Sequence, residues 1–359
     1  MKIHYLVTSL ESGGGIFVIP EIVRTLQSLG HEVSIYACEP RDMGGAIRLT
    51  EAGLSYTVLS KKRRPLSVIL ALYLIKTRKD RPDVIWSSFS WATRIGIRAS
   101  RLLRIPTIAF KHSMSTRKGL FKVRQEPNLW VGDSTSVAGY LRNEWSIPAE
   151  KVLAWPLYKS IPDFPTAARW DGKEVLQIGS VGRLHDVKNY AGLIDALATF
   201  LTAHPQLKSR LHLTILGEGP ERAALERQIS SLDLNSVVSL PGFSADVGGF
   251  LSKQHVYVQT SRYEGLCLSV HEAMNVALPV IATPVGEISD AVKEGETGYI
   301  LNGDLNVSLP RVLEHVFNNP ESLEHCGENG RRYVLDNFSD ERYSDSAAAI
   351  FDRLNTLTK

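Results

Sequence analysis

Short unbroken apolar runs alternate along the chain with longer stretches in which apolar residues return every three or four positions, a pattern that predicts strands separated by helices. Ile3-His4-Tyr5-Leu6-Val7 leads through Ser12-Gly13-Gly14-Gly15 into the helical series Ile16, Phe17, Ile19, Ile22, Val23, Leu26, Leu29, which Gly30 closes. Residues 31–38 (HEVSIYAC) predict a second strand. PDVIW (82–86) and PTIAF (106–110) predict two more, each opened by a proline that a strand start tolerates, with a helix over 92–104 between them. From 155 to 170 the periodicity lapses and Pro156, Pro162 and Pro165 crowd together, which predicts a linker. Strand patterns restart at 174–182, 211–217, 237–242, 255–260, 278–283 and 298–301. A final helix is expected over 340–357, with Tyr343, Ala347, Ile350 and Leu354 on one face. Apolar strands without alternation are buried on both faces, so the expected fold is α/β, with Rossmann-like doubly wound parallel sheets in two domains, 1–160 and 161–339.

A length of 359 residues and 43% hydrophobic content suit two real cores, and exclude a disordered tail, a mini-protein and a fibre. Cys38, Cys267 and Cys326 are odd in number and widely spaced, which argues against a disulfide framework or a cysteine zinc site and for a reducing cytosol. MKIHYLVTSLESGGG reads as a strand and turn rather than a signal peptide, and no stretch approaches the roughly 20 apolar residues of a membrane span. The net charge of +3 conceals a division: residues 1–160 hold 24 Lys+Arg against 12 Asp+Glu, and residues 161–359 hold 17 against 26. A basic half favours an anionic membrane, nucleic acid or a phosphorylated substrate. Nucleic acid is the poorer reading, because no reader motif or interleaved aromatic platform accompanies the charge. A dinucleotide oxidoreductase is weakened by SGGGIF, which lacks the GxGxxG spacing. Residues 61–81 set an apolar stretch between two basic clusters, either an ordinary sheet-packing helix or an element lying at an anionic bilayer surface.

Three polar or glycine-rich clusters fall just after strands of the second half, where doubly wound sheets bind ligands. Arg183 and Lys188, five residues apart and leading into a helix near Asn189, suit a diphosphate or are solvated charges on a surface turn. Gly217-Glu218-Gly219-Pro220 lets backbone approach a ligand or makes a tight turn and nothing more. Glu264 and Glu272 flank a strand-to-helix segment whose amides, at about 265–268, should be unpaired. With Glu272 two turns into the helix, a rise of about 1.5 Å per residue sets the carboxylates on the order of 10 Å apart. That is the span of a nucleotide sugar from sugar to ribose. Two carboxylates flanking a glycosidic bond, as in a hydrolase, are the catalytic rival.

In these motifs, SVGRLHDVKN, ILGEGP, LPGF, SRYEGLCLSVHEAM and ALPVIATPVG, the chain resembles the retaining glycosyltransferases of family 4, from SGGG to about residue 300. The resemblance implies a GT-B fold, two Rossmann-like domains facing a central cleft, with the helix over 340–359 packing back on the first. It also implies a nucleotide-diphosphate sugar (UDP-, GDP- or ADP-) as donor. Arg183 and Lys188 then match the diphosphate-binding positions, Glu272 the ribose carboxylate, Glu264 the acidic contact to the donor sugar, and Gly265, Leu266, Cys267 and Leu268 the backbone around sugar and phosphate. Gly13, Gly14 and Gly15 match a glycine loop near the phosphate, and Gly217, Gly219, Gly242 and Phe243 fall in the family's donor-side turns. His112 matches the active-site histidine near the reacting sugar, or is a satisfied loop histidine. Lys111, Arg117 and Lys118 form a basic loop on the acceptor side.

The expected reaction is metal-independent and retaining, onto a lipid-linked or anionic saccharide acceptor in cell-surface glycan synthesis of the lipopolysaccharide, O-antigen or capsule type. It would take place in the cytoplasm, peripherally on the inner face of the membrane. No Asp-x-Asp is present to seat a metal. A soluble transferase or synthase acting on a free sugar or polymer, and a nucleotide-sugar epimerase, are the alternatives. Pro156-Leu157-Tyr158, Gly286-Glu287-Ile288 and Ala277-Leu278 depart from the family's usual turns.

Overall fold

Strands form where the apolar runs lie. The computed structural model describes residues 1–11 and 14–358, so Gly13 of the expected glycine loop lies outside the described residues. The chain divides into two compact units, one of Met1–Leu157 with Glu341–Lys359 and the other of Tyr158–Asp340. In the first, β1 (Lys2–Val7), β2 (Glu32–Ala37), β3 (Tyr56–Val58), β4 (Val84–Ser88), β5 (Thr107–Lys111), β6 (Leu129–Gly132) and β7 (Val152–Ala154) form one parallel sheet in the order β3-β2-β1-β4-β5-β6-β7. The second holds β8 (Leu176–Val181), β9 (Leu211–Leu216), β10 (Val238–Gly242), β11 (Val256–Gln259), β12 (Val280–Ala282) and β13 (Gly298–Ile300), all parallel, in the order β10-β9-β8-β11-β12-β13. Each order reverses direction beside its first strand, between β1 and β4 and between β8 and β11, and ligands of such sheets bind at the carboxyl ends flanking that reversal.

Every residue of β4, β5 and β6 is buried, as expected for strands covered on both faces. Trp86, Trp130, Trp145 and Trp155 are fully buried in the first unit. The last helix, Asp340–Thr358, packs there through Tyr343, whose ring is 5.1 Å from Trp155, and Phe351, 6.0 Å from Trp86. Helix Leu66–Lys79 buries Ile69, Tyr73 and Thr77 against the sheet, while Val68 and Ile75 stay exposed on its outer side beside the exposed residues 61–64. It is thus a sheet-packing helix that also presents an apolar outer face.

Residues 158–170 contain no strand or helix, yet side chains of the second unit fix them. The Asn275 amide pairs with both backbone groups of Ile161 (2.9 and 3.0 Å), and Arg331 donates to the carbonyls of Pro162, Phe164 and Asn275. Helix Leu268–Asn275 ends in a Schellman motif in which Leu278 N–H donates to Ala273 O and Ala277 N–H to Met274 O. Ala277 there takes φ 58°, the left-handed conformation that usually falls to glycine.

On the same helix His271 is fully buried, against Phe338 (4.7 Å) and Tyr158 (5.5 Å). Nδ1 lies 3.1 Å from Cys267 O and so carries the proton, and Nε2 has no partner among the described residues. Burial pushes its pKa down to about 4, the Cys267 carbonyl opposing. Between that value and about 6.5 the unfolded chain binds the proton and the native one does not, so stability present above pH 6.5 is lost as pH falls toward 4. The loss amounts to about 3 kcal/mol if the full difference is realised. Urea denaturation followed at pH 7.5 and pH 4.5 should show that slope in the native chain and a flatter one in His271→Leu.

Candidate functional site

The loops that leave β8 and β9 meet backbone to backbone, and so do those that leave β11 and β12. Gly217 takes φ 150°, and a Cβ there would stand 1.9 Å from the Gly182 carbonyl oxygen; one at Gly219 would stand 2.2 Å from that of Leu184. Hydrogen bonds from Gly182 N–H to Leu216 O and from Leu184 N–H to Glu218 O (both 3.0 Å) fasten the two loops together. Neighbouring backbone therefore explains these glycines without any ligand. Gly242 (φ 99°) accepts from Gly217 N–H at 2.8 Å, and the next residue, Phe243, is 60% exposed at the end of β10. Gly286 is wedged under the third cluster, where a Cβ would meet the carbonyl oxygens of Glu264 and Gly265 at 2.5 and 2.6 Å.

Gly182 lacks a side chain where Lys188 and Tyr190 run past, and Lys188 reaches Glu264 (Nζ to Oε1, 2.7 Å). The same carboxylate oxygen accepts from Ser261 Oγ at 2.5 Å. Ser261 accepts from Gln259 Nε2 (2.7 Å), and Gln259 Oε1 accepts from Tyr257 OH (2.8 Å). Thr260 Oγ1 donates to the carbonyls of Lys188 and Asn189. None of Tyr257, Gln259, Thr260 and Ser261 was expected in the site; the signal available was the change from apolar to polar residues at the end of β11. Arg183 is exposed in the preceding loop, and no described group pairs with its guanidinium.

Beyond Glu264, Cys267 takes φ 61°, and no described backbone or side-chain acceptor meets the amides of Gly265, Leu266 and Cys267. Leu266 and Cys267 are buried and Leu268 begins the helix. Burial, then the Glu264 charge, pushes the Cys267 thiol up to about 12, so the sulfur stays protonated. Because the helix starts at Leu268, Glu272 falls one turn into it rather than two. Burial and then the Glu272 charge hold the Tyr158 phenol well above its usual pKa.

The first unit contains a cavity of about 390 Å³ at the carboxyl ends of its strands, reached by Ser9 after β1, Glu39 after β2, Phe89 after β4 and His112 after β5. His112 is sandwiched between Phe89 (4.7 Å, 29°) and Phe110 (4.6 Å, 33°). Its Nδ1 lies 3.7 Å from Asp133 Oδ2, beyond hydrogen-bond range, and both ring nitrogens are buried without a described partner. A satisfied loop histidine is therefore not what the fold makes of it. Phe89 has φ 69° and ψ 149°, a region that costs a non-glycine residue on the order of 1–3 kcal/mol. A Cβ at Gly15 would press on the Phe89 ring at 3.2 Å, and Gly14 opens the short helix Gly14–Phe17.

Lys111, expected as a loop cation, is buried. Its Nζ donates to Ser115 O at 2.7 Å and lies 5.0 Å over the Trp145 ring. Burial pushes its pKa down to about 8, Arg117 adding to the fall and Asp133 opposing it. Arg117 lines the cavity and Lys118 does not. Glu39, Arg41, Arg63, Trp91 and Arg94 also line it and were not singled out in the sequence.

Two Rossmann-like units, each a parallel sheet with its loops gathered at the strand ends, define a GT-B protein. The chain belongs to the group 1 glycosyltransferases of the family 4 type: residues 168–333 match the model of "Glycosyl transferases group 1" and residues 12–157 that of "Glycosyltransferase Family 4". It is 34% identical over 138 residues to the Vi polysaccharide biosynthesis protein VipC/TviE of Salmonella typhi, a match covering 38% of this chain and 23% of that protein, so it spans less than a quarter of that relative. It is 28% identical to the D-inositol 3-phosphate glycosyltransferase of Pseudarthrobacter chlorophenolicus, with 88% of this chain and 85% of that one covered. The crystal structure of Anabaena HepE in complex with UDP-glucose superposes with a TM-score of 0.85 at 18% identity, covering 98% of this chain and all of that one.

The loop contacts give a paired test. Gly217→Ala places a Cβ in both a glycine-only conformation and an occupied space, and should cost about 3 kcal/mol or more. Gly303→Ala, at φ 73° with nothing within 4 Å of the added carbon, should cost only about 1 kcal/mol. Urea midpoints of the two variants, read side by side, decide the point.

Proposed function

We propose that the protein transfers a sugar, with retention and without a metal, from a nucleotide-diphosphate sugar to a lipid-linked or anionic saccharide acceptor in the synthesis of a cell-surface glycan. The observation that carries this reading is the second unit's arrangement of Lys188 on Glu264, an unpaired Arg183, and the free amides that precede Glu272. A departing diphosphate requires cations and free amides, and preorganised charge of this kind is commonly the largest catalytic contribution. The UDP-glucose bound by HepE and the polysaccharide role in the name of VipC/TviE support the donor class and the setting.

In the reaction as we propose it, the bond from the anomeric carbon to the phosphate oxygen breaks through an oxocarbenium-like state. The acceptor hydroxyl attacks from the departing side, and its proton passes to the leaving phosphate. Glu272 is assigned to the ribose hydroxyls, Glu264 to the donor sugar, and His112, with its unpartnered ring nitrogens, to a sugar hydroxyl. Arg183→Ala should lower turnover about a hundredfold, in line with the loss of one transition-state donor. The assay follows acceptor-dependent release of nucleoside diphosphate from UDP-, GDP- and ADP-sugars. Release independent of acceptor, or undiminished in Arg183→Ala, would count against the transferase. Loss of turnover in EDTA with recovery only on adding a divalent metal would remove the metal-free part.

Among the described residues no helix is long and apolar enough to cross a membrane. The outer face of helix Leu66–Lys79, with Val68 and Ile75 exposed between residues 61–64 and Arg78 and Lys79, supports peripheral attachment to an anionic bilayer. Basic residues near such a surface contribute about 1 kcal/mol each. Flotation with phosphatidylserine liposomes should show binding at low salt that is lost at high salt and absent with neutral lipid.

A further inference from the structure

The cations of the first unit's cavity are not equivalent. At one end Arg41 is neutralised: its Nη1 meets both oxygens of Glu11 at 2.7 Å, and its Nε and Nη2 meet Glu39 Oε1 at 3.2 and 3.1 Å. Arg63 stands 3.6 Å from the other Glu39 oxygen. Lys111 is held by the Ser115 carbonyl beneath the loop. Arg94 and Arg117 line the same cavity, and no described carboxylate or other side chain pairs with either guanidinium.

The chain makes room for one of them. Arg94 projects from helix Ser90–Leu103, and its guanidinium lies against Gly119, where a Cβ would stand 3.3 Å from both Cζ and Nη1. A side chain at 119 would make that guanidinium give way by a few tenths of an ångström. Four arginines therefore line one concave site with two carboxylates, and both carboxylates are committed to Arg41 and Arg63. Unpaired like charges sharing a cavity repel one another, an unfavourable arrangement that an anion would relieve. A guanidinium presents a planar fork of donors that matches a carboxylate or a phosphate. Phe89 and Trp91 also line the cavity and supply apolar surface for the body of a sugar.

We propose that this cavity binds an acceptor sugar carrying an oxyanion, either a uronate carboxylate or a phosphate ester, with Arg94 and Arg117 as the residues that recognise the anion. The inference rests on the transferase reading for the word acceptor; the anion site itself does not. Arg94 and Arg117 are specificity residues here, and nothing in the proposal asks them to touch the breaking bond.

The test is a titration of the full-length protein with methyl glucuronide, glucose 6-phosphate and methyl glucoside, by calorimetry or ligand-observed NMR, with UDP binding measured in parallel. At least one of the two anionic probes should bind tenfold or more tighter than the neutral glucoside, and whichever does so identifies the kind of oxyanion. Arg94→Ala should abolish that preference while leaving UDP binding unchanged, and Arg94→Lys should restore part of it. Arg117→Ala, at an exposed position, should weaken the same probe several-fold and supplies the answer should Arg94→Ala not fold. Equal binding of anionic and neutral probes, or a preference untouched in both alanine variants, would overturn the proposal. Anion binding through Arg94 in a protein that transfers no sugar would strike the transferase reading alone and leave the site standing.

Discussion

The ion pair between Lys188 and Glu264 is the constraint around which the loops of the second unit are arranged. Both side chains are less than one-fifth exposed, and a single charge in such a place, deprived of its partner, is strongly destabilising. The pair is held from below: Ser261 shares the carboxylate oxygen, Gln259 holds Ser261, Tyr257 holds Gln259, and Thr260 fixes the backbone carbonyl of Lys188. Hydrogen bonds in series in a low-dielectric interior reinforce one another, so the central strand β11 determines where the charge sits. On the proposed reading, an arriving diphosphate meets a lysine whose cost of burial is already met by Glu264. Binding then exchanges one anion for another at an existing position.

The two units solve the problem of holding polar groups at the strand ends in opposite ways. In the second, backbone does it: Gly217 lies on Gly182, Gly219 on Leu184 and Gly286 on Glu264, each at a distance no side chain would permit. The amides of residues 265–267 are left free because the chain turns through a left-handed Cys267 instead of continuing into a regular ladder. In the first unit, side chains do it. His112 lies between two phenylalanine rings, and Phe89 takes up an unfavourable backbone conformation to supply one of them. Strain retained beside a cavity is maintained by the packing around it, here Gly15 and the fully buried β4.

The six strands of the second unit and β1, β2, β4 and β5 of the first were legible from hydrophobic pattern because they leave uninterrupted apolar runs, as in PDVIW and LHLTILG, whereas β3, β6 and β7, only three or four residues long, leave runs too short to read and were missed. Arg183, Lys188 and Glu264 could be singled out as candidates because each lies in a loop that follows such a run beside a glycine, and Glu272 because it lies in the helix Leu268–Asn275 that the last of these loops opens. What escaped depended on contacts between segments far apart in sequence. Gly217 and Gly219 read equally well as ligand-approach glycines or turn glycines, and only the position of residues 182–184 shows what they accommodate. Lys111 sits in a basic stretch and looks like a surface cation, but it ends a wholly buried strand and its ammonium is covered by Ser115 and Trp145. Arg94 follows ordinary helical spacing, and its position is meaningful only beside Gly119, 25 residues away.

The charge asymmetry between the halves also changes character once it is located. An excess of 24 Lys+Arg over 12 Asp+Glu in residues 1–160 invites the picture of a uniformly basic face, and a uniform face would act at a distance and be screened by salt. Part of the excess lies at Lys61, Lys62 and Arg64 and in the last turn of helix Leu66–Lys79, where it is exposed and of that kind. Another part converges in the cavity, where the fold pairs Arg41 and Arg63 with the nearby carboxylates and leaves Arg94 and Arg117 without any. Charges gathered in a concave site are screened less than those on an open surface, so on the proposed reading the second group would discriminate among ligands where the first would only attract them. The same surplus in the sequence is therefore found in two physically different settings, and within the cavity the placement of two glutamates, Glu11 and Glu39, decides which cations are paired.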